Sequence, residues 1–478
     1  METRSIFRNL SPLDHRYYQA NRDTFEALAD DLSEEALVRY CTLVEAALLH
    51  THARAQGIDD PAVADAIDRL PDVVQPDEVA AEEEKTHHNV RALVRVIKRY
   101  LPESIAPYVH VGATSVDVLD TANALRCRAA VRKTVLPMLI TLERELVTLA
   151  DRHADTLQIG RTHGQHGVPI TFGFAIAEYV SRLGKSVELI EARSRELRGK
   201  IAGAVGAYNS LSLVTDDPLG FERETLARVG LEASEHSTQL VEPEYLLRLL
   251  LELNVAFGVL ANLADDLRNL QRTEIAELTE LFTDDQVGSS TMPQKRNPWN
   301  SEHVKSLWKT FAPRVMTFFM DQISEHQRDL TNSASGRFVV DYLAGLVAAV
   351  ARMTKVVQTL KVHTDRMAAN AAMTGDLILS EAAYTLLATT GRHDAHEDLR
   401  AATLESQRTG QTMVSVLMRN DPLWTQLSQA LGAVGHDPKE FFSNPASYTG
   451  RAAERARALA RDYQSRMNRI EEVLHGDR

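Results

Sequence analysis

Apolar residues recur between Leu246 and Leu267 with spacings that alternate between four and three positions. This rhythm places them on one face of a helix that packs at a shallow angle against its neighbours. The members of this seam are Leu246, Leu250, Leu253, Phe257, Leu260, Ala264 and Leu267. Other apolar residues lie outside the seam, at Leu247, Leu249, Leu251, Val255, Val259 and Leu263. A helix that is apolar on several faces is predicted to lie at the centre of a bundle and to favour association of subunits.

Long intervals without proline extend the prediction of helix over most of the chain. No proline occurs between Pro313 and Pro422, and the intervals Pro169–Pro218 and Pro243–Pro293 contain none inside them. Alternating strand patterns with hairpin turns are nearly absent. We therefore predict an all-α protein with three helical domains: an N-terminal domain over 1–112, a central long-helix bundle over 113–373 and a C-terminal domain over 374–478.

Composition and charge narrow the class of protein. The 478 residues are 44% apolar, 25% charged and 6% aromatic, as in ordinary soluble globular chains. A net charge of −13 argues against a nucleic-acid partner. Two cysteines and the lack of a signal-like apolar run at the N-terminus predict a cytoplasmic chain. The stretches Leu246–Leu260 and Val339–Val350 contain charged residues, so no membrane span is predicted.

Short polar segments interrupt the apolar pattern, and they are the candidates for chemistry. They are the pair Arg16-Tyr17 and the segments 86-THHN-89, 108-YVHVGATSVD-117, 161-RTHGQHG-167, 288-GSSTMPQKRNPWN-300 and 327-QRDLTNSASGR-337. In the second segment Thr114 and Ser115 are placed at the start of a helix, where backbone N–H groups face an anion. Segment 327–337 is expected to be helical or to lie at a helix edge.

Each segment also has an ordinary structural interpretation. A histidine in a helical protein is more often a hydrogen-bonded structural residue than a catalyst. His163 and His166 are three apart and could share a helical face as metal ligands, but no cysteine or HExxH pattern completes the set, and no metal is predicted. The run Glu82–Glu84 is expected to be a solvated face. Arg328 and Arg337 are equally well explained as surface ion pairs.

The segment 288–300 is the hardest to explain structurally. Asn297 followed by Pro298 has the N-cap and N1 pattern of a helix, which supplies unpaired N–H groups and positive potential. Lys295 adds a full positive charge beside it, and Gly288 is a candidate hinge. A phosphate-binding P-loop is excluded because glycine and serine or threonine do not flank the lysine. A serine–lysine hydrolase is excluded because no lysine lies three residues after either serine. The pattern therefore indicates a clamp for carboxylate or phosphate.

The string GSSTMPQKRNP resembles the GSSxMPxKxNP loop of the fumarase/aspartase superfamily, whose members release fumarate from succinyl compounds. The segments GATS and THGQ precede it in the order that the superfamily shows. This resemblance implies three all-α domains, with a long-helix bundle in the middle. It also implies a homotetramer in which each active site takes residues from three chains.

Within the superfamily the chain is most similar to the adenylosuccinate lyases. PLDHRYY near the start, QRDLTNSASGR, and PASYTGRA over 445–452 resemble segments of that family. The resemblance implies a succinyl nucleotide substrate whose phosphate is bound by Arg16, Tyr17, Arg328, Ser333 and Arg337. The chain departs from the family at Asn89, because the family has aspartate after the histidine that corresponds to His88.

The resemblance also implies the roles of the remaining residues. Ser289 is the base, and His163 is the general acid, because histidine side chains in general suit proton delivery near neutrality. His88 supports His163 or binds the phosphate side of the substrate. The groups expected to hold the substrate are Lys295, Asn297, Thr114, Ser115 and Gln239, and no metal or organic cofactor is required. Two alternatives stay open: a sister lyase that acts on another succinyl compound, and a helical scaffold that has lost its activity.

Overall fold

Helices form nearly all of the regular structure, as the apolar spacing predicts. The structure is a computed structural model that describes residues 5–283, 286 and 288–476. The N-terminal helices are α1 (Arg16–Ala20), α2 (Arg22–Leu32), α3 (Glu34–Ala55), α4 (Pro61–Asp68), α5 (Leu70–Val73), α6 (Pro76–Thr86) and α7 (Asn89–Ile97). The next are α8 (Ser115–Ala130), α9 (Leu136–Arg152), α10 (Phe172–Arg195), α11 (Pro218–Arg228), α12 (Glu244–Leu270), α13 (Trp299–Phe311), α14 (Val315–Met320), α15 (Val339–Thr359) and α16 (Thr364–Ala372). The last are α17 (Ser380–Thr389), α18 (Ala395–Thr409), α19 (Met413–Leu417), α20 (Asp421–Ala433), α21 (Pro438–Ser443) and α22 (Ala452–Gly476).

Short strands connect some of these helices. They are β1 (Leu157–Thr162), β2 (Gln165–Thr171), β3 (Arg198–Gly199), β4 (Glu232–Ala233), β5 (Leu278–Thr279) and β6 (Lys361–Val362). The pairs β1–β2 and β5–β6 are antiparallel, and β3–β4 is parallel. The hairpin β1–β2 is a feature that the sequence pattern did not predict.

The predicted seam on α12 lies in the core of the bundle. Its members from Leu250 to Leu267 are buried, and Leu246 is partly buried. Outside the seam, Leu251 and Val255 remain 37% and 54% exposed. α10 packs against α9, α12 and α22, while α13 packs between α12 and α15. Among the described residues, α12 is the one helix long and apolar enough to cross a membrane, but 56% of its most apolar window is buried by this packing, as in a core helix.

Two hydrophobic cores hold the described residues together. The larger combines the N-terminal helices, the long helices α8–α15 and the last helix, α22. The smaller is formed mainly by α17–α21 and receives Ile159 from β1. Because core packing does not by itself delimit domains, the predicted division into 1–112, 113–373 and 374–478 stays a prediction. The structure does show that α22 returns to the long helices.

A buried carboxyl group lies where α9, α10 and α22 meet. Gly184 allows this approach, since a β-carbon there would collide with the ring of Tyr463 and come within 2.9 Å of Glu143 Oε1. Glu143 is fully buried, and no residue that the structure describes forms a hydrogen bond with either of its carboxyl oxygens. Burial raises the pKa of Glu143 well above its ordinary value, because the charged form loses its hydration.

Replacing Glu143 by leucine is expected to stabilise the fold, and by more at pH 8 than at pH 5. A carboxyl group whose pKa is higher in the folded chain than in the unfolded chain contributes fully to stability only below its pKa in the unfolded chain. This contribution is lost as the pH rises through its pKa in the folded chain. The leucine variant should gain about 1–3 kcal/mol at pH 8, measured by urea unfolding. Glu472→Leu, at an exposed carboxylate of α22, is the control. A gain that does not depend on pH would contradict the assignment.

Candidate active site

The helix α8 begins with the polar pair that the sequence placed there. Thr114 is its N-cap and forms a capping box with Asp117, which confirms the predicted helix start. Asp117 is fully buried, accepts the amide of Thr114 at 2.7 Å, and forms an ion pair with the equally buried Lys200. The amides of Ala202 and Gly203 donate to the same carboxylate at 3.1 and 3.0 Å. This buried pair fixes the direction in which Thr114 and its neighbour point.

His88 lies beside this helix start, at the elbow between α6 and α7. It caps α7, because its Nδ1 accepts the amide of Arg91 at 3.3 Å. Its Nε2 is 3.5 Å from the hydroxyl oxygen of Ser115. The structure thus brings together two predicted site residues that are far apart in sequence. Asn89, the departure from the family pattern, is exposed and accepts the amide of Val90 at 2.7 Å.

A buried carboxylate holds the elbow in place. Glu82 forms ion pairs with Lys85, Arg95 and Arg99 at 3.3, 3.0 and 2.5 Å. The hydrogen bonds that Glu82 accepts, first from Arg95 and then from Arg99 and Lys85, lower its pKa to about 2. Burial acts in the opposite direction but is outweighed by them. The prediction of a solvated face is therefore wrong for Glu82, because α7 folds back over α6.

Gln239 and Arg328 lie near the second turn of α8. The carboxylate of Asp120 accepts the amide of Val241 at 3.0 Å, and the amide of Gln239 donates to the carbonyl of Gln327 at 3.3 Å. Burial raises the pKa of Asp120 to about 6, against the opposing charges of Lys200 and Arg328. These contacts place Gln239 and Arg328 on the same side of the molecule as the start of α8.

The segment 327–337 is a loop and not a helix. It runs through bends and turns into the short 3₁₀ helix Ser335–Phe338, which leads directly into α15. The helical alternative is therefore wrong, and the alternative of a helix edge is confirmed. Arg328 hydrogen-bonds Asn332 within the loop. Ser333 and Arg337 are exposed. Turns replace the helix around Asp329, because the carboxylate of Asp329 accepts the amides of Glu325 and Thr331.

His163 lies at the tip of the hairpin β1–β2 and is exposed. It and Gly164 form a two-residue turn, with φ of +56° and +73°, as in hairpin turns whose twist matches the strands. His166 pairs across the hairpin with Arg161, and its Nδ1 is 2.7 Å from the hydroxyl of Thr374. The alternative of a helical metal face for His163 and His166 is therefore wrong. Over the described residues, no cluster of three or more metal-binding side chains is found.

A second buried carboxylate orients this hairpin. Glu277 is fully buried and accepts hydrogen bonds from Arg161, Gln158 and Asn370 at 2.5, 2.9 and 2.9 Å. Two of these donors lie on β1 and the third lies on α16. Because the amide of Glu277 donates to the carbonyl of Leu270, the last residue of α12, at 2.9 Å, it ties the hairpin to the end of the central helix.

The loop 288–297 is closed at its neck. The side-chain amide of Asn297 donates to the carbonyl of Gly288 at 3.1 Å. A β-carbon at Gly288 would lie 2.2 Å from the carbonyl oxygen of Lys295, so only glycine allows this closure. Within the loop, the hydroxyl oxygen of Ser289 accepts the amides of Met292 and Thr291 at 3.1 and 3.4 Å. Two such donors favour negative charge on that oxygen.

The helix after this loop starts later than predicted. α13 begins at Trp299 with Pro298 at its N-cap, so the assignment of Asn297 as N-cap is wrong. The amide of Asn297 is used to close the loop instead. Buried Glu280 accepts the amides of Asn300 and Ser301 at 3.2 and 2.8 Å, where a negative charge offsets the positive end of the helix.

Two residues that were not singled out from the sequence, His303 and Arg352, lie near Tyr17, and His303 contacts it directly. The hydroxyl of Tyr17 is 2.8 Å from Nε2 of His303, in the first turns of α13. Arg352 of α15 donates to the side-chain oxygen of Asn300 at 2.8 Å and stacks over Trp299. Arg16 is exposed beside them. Neither His303 nor Arg352 lies in a polar segment, so the sequence carries no local signal for them.

Within the described part of one chain, the candidate residues form separate groups. His88, Thr114, Ser115, Gln239 and Arg328 lie around the start of α8. Arg16 and Tyr17 lie by α13, next to the loop of Ser289, Lys295 and Asn297. No hydrogen bond or ion pair among the described residues joins His163 or Ser289 to the group at α8.

Comparison with known proteins defines the class. Solved structures with the same fold include a fumarate lyase from a Mesorhizobium species (TM-score 0.76, 22% identity, 92% of this chain and 97% of that one). Another is a 3-carboxy-cis,cis-muconate lactonizing enzyme from Pseudomonas putida (TM-score 0.76, 24% identity, 95% of this chain and 100% of that one). A lyase family profile matches residues 16–312. The fold and the profile thus define an all-α lyase.

Sequence relatives identify the family within this class of lyases. The profile of the adenylosuccinate lyase C-terminal region matches residues 324–439. The adenylosuccinate lyase of Pyrococcus abyssi is 32% identical over 423 residues, which cover 87% of this chain and 92% of that protein. The adenylosuccinate lyase of Aquifex aeolicus is 32% identical over 372 residues, covering 77% and 83%. The chain belongs to the adenylosuccinate lyase family.

Proposed function

We propose that this protein eliminates fumarate from adenylosuccinate to give AMP, and from the succinyl-carboxamide ribotide of purine biosynthesis (SAICAR) by the same chemistry. Family membership over nearly the whole chain is the observation that carries the proposal. It acts in the cytoplasm, where its two buried free thiols, Cys41 and Cys127, suit a reducing compartment.

The reaction removes a proton beside a carboxylate and then breaks a carbon–nitrogen bond. Ser289 is the base: its oxygen takes the proton from the carbon next to the carboxylate, leaving a doubly negative aci-carboxylate. The amides of Thr291 and Met292, which contact this oxygen, stabilise the charged form that a base requires. Lys295 and Asn297 act at the carboxylate end of the substrate, together with Thr114 and Ser115 at the positive end of α8.

His163 is the general acid. When the carbon–nitrogen bond breaks, it delivers a proton to the departing amino nitrogen of AMP, and fumarate is released. Its exposed position at a hairpin tip suits a side chain that reaches into a site on another subunit. His88 supports it from the elbow before α7, and Gln239 holds the substrate between them.

Replacing Glu277 by glutamine is expected to lower kcat by about 10²-fold with little change in KM. The variant leaves Arg161 without its buried partner and shifts the hairpin, and a displacement of about 1 Å in a catalytic group has an effect of this size. Steady-state kinetics measures it. Glu274→Gln, at an exposed carboxylate three residues earlier, is the matched control. Equal loss in both variants would show that Glu277 does not orient His163.

The active sites are shared between subunits of a homotetramer. The separation of His163 and Ser289 from the group at α8 supports this assembly. Apolar side chains left exposed on α12 and α14, such as Val255, Met316 and Phe319, supply a surface for it. Mixing inactive Ser289→Ala and His163→Gln subunits should then restore activity, because about a quarter of the randomly formed sites take Ser289 from a His163→Gln chain and His163 from a Ser289→Ala chain. Mixtures that stay inactive after documented subunit exchange would contradict shared sites.

A sister lyase acting on another succinyl amine is the second candidate, and Asn89 is the residue that favours it. The deciding measurement is fumarate release from adenylosuccinate, SAICAR, argininosuccinate and aspartate. Rapid release from the first two alone is the expected result. Release from neither of them by folded tetramer would overturn the proposal, and Asn89→Asp would then be the first variant to assay.

A further inference from the structure

Four side chains from three helices converge beside the loop of Ser289. Arg16 and Tyr17 come from α1, His303 from α13 and Arg352 from α15. The hydroxyl of Tyr17 and Nε2 of His303 are 2.8 Å apart, with their ring centroids 5.7 Å apart. The positive charges of Arg16 and Arg352 both act on His303. The cluster therefore combines two guanidinium groups, an imidazole and a phenol.

The cluster carries more positive charge than the surrounding carboxylates neutralise. Neither Arg16 nor Arg352 forms an ion pair within residues 5–283, 286 and 288–476. The charge of the Glu280 carboxylate acts on Arg352, but its two oxygens already accept four hydrogen bonds from Asn300 and Ser301. Cations held together without a counter-charge are expected to bind an anion.

The carboxylates described on α12 and α13 do not supply the missing negative charge. On α12, Asp265 pairs with Lys305 and Arg268 at 2.8 and 2.6 Å. Glu302, next to His303 on α13, is exposed. Burial first, and then Arg352 and Arg16, lower the pKa of His303, so the free site holds this histidine neutral near pH 7.

We propose that His303 and Arg352 extend the anion site begun by Arg16 and Tyr17, and that together they bind the phosphate monoester of the nucleotide as a dianion, with His303 protonated in the complex. This inference rests on the proposed function, because it assigns His303 and Arg352 to the binding of the phosphate of the proposed nucleotide substrate. A dianion removes the repulsion between the cations and accepts hydrogen bonds from each of them. Binding therefore takes up a proton, and the His303 contribution to affinity is lost as pH rises through its pKa in the complex.

A purely structural role is the competing explanation for Arg352, since it already contacts Asn300 and Trp299. A structural role would change stability and the binding of all ligands alike. A phosphate-binding role would change only the binding of ligands that carry phosphate. Comparison of AMP with adenosine separates the two roles.

The experiment measures AMP and adenosine binding to the tetramer by isothermal titration calorimetry. Arg352→Met should weaken AMP binding about 10–100-fold and leave adenosine binding unchanged, as expected for the loss of charge-assisted hydrogen bonds. His303→Gln should weaken AMP binding severalfold at pH 7 and less at pH 8.5. Arg455→Met and His475→Gln, at exposed positions of α22, are the matched controls. Arg352→Lys, which retains the charge, should recover part of the affinity.

Unaltered protein provides a test that needs no variant. AMP titrations at pH 7 in buffers of different ionisation enthalpy should show net proton uptake, and His303→Gln should show less. Equal proton uptake in both proteins, or equal weakening of AMP and adenosine by Arg352→Met, would overturn the inference. If the protein releases fumarate from adenylosuccinate yet shows either result, only this inference fails. If it neither releases fumarate nor binds AMP, the proposed function fails with it.

Discussion

Replacement of Ser289 by alanine is expected to lower kcat for fumarate release by about 10³-fold or more, because the reaction loses its base. AMP binding should stay within a factor of about two, because the variant removes one hydroxyl group and leaves all the phosphate-binding side chains in place. The structural basis is the loop around the hydroxyl: two backbone amides donate to its oxygen, and Asn297 holds the loop closed. Alanine leaves those amides in place and removes only the oxygen that they stabilise.

The neighbouring serine provides the matched control for this measurement. Ser290 is exposed, and its hydroxyl makes no hydrogen bond among the described residues. Ser290→Ala should therefore have a much smaller effect on kcat. Single-turnover kinetics with both variants separates the chemical step from product release. Full activity of Ser289→Ala, or a larger loss in Ser290→Ala, would assign the base to another residue.

Replacement of Lys200 by methionine is expected to cost about 3–5 kcal/mol of unfolding free energy, because it leaves a buried charge without its partner. Lys200 and Asp117 are both fully buried, and Lys200 also donates to the carbonyl of Gly203 at 3.1 Å. Three backbone amides that converge on Asp117 do not replace a full positive charge. Because Asp117 accepts the amide of the N-cap residue Thr114, the variant should also lose fumarate release through displacement of Thr114.

Urea unfolding followed by circular dichroism measures this loss. Arg400→Met is the control, because Arg400 pairs with Glu397 at 2.7 Å while the two side chains remain 58% and 59% exposed, and such a pair contributes about 1 kcal/mol or less. The double variant Lys200→Met with Asp117→Asn should recover part of the stability, since the unpaired charge is then gone. Equal losses for Lys200→Met and Arg400→Met would show that the buried pair has no special role.

Local patterns account for the features that the sequence predicts well. The seam of α12 follows from the helical repeat, which brings residues three and four apart onto one face whatever surrounds them. The start of α8 is equally local, because Thr114 and Asp117 exchange hydrogen bonds within a single turn. The fold class is confirmed for the same reason. Motif resemblance then identified the family, since its residues lie in short contiguous strings.

Features that depend on distant partners were missed or wrongly predicted. The hairpin that carries His163 is stabilised by Glu277 and by insertion of Ile159 into the smaller core, and neither partner is near in sequence. The capping preference of Asn297 was overruled by its bond to the carbonyl of Gly288. Glu82 was predicted to lie on a solvated face, but it is buried because α7 folds over it and supplies Arg95, with Arg99 just after it.

The sequence by itself determined the all-α class, the central apolar helix, the helix start at Thr114 and the family to which the chain belongs. Each of these depends on periodicity or on short strings of residues. Only the tertiary structure decided that His163 lies on a hairpin, that Asn297 closes a loop, and that His303 and Arg352 join Arg16 and Tyr17. The physical reason is that these arrangements are made by hydrogen bonds and charges between segments far apart in the chain, and such contacts exist only after the helices have packed.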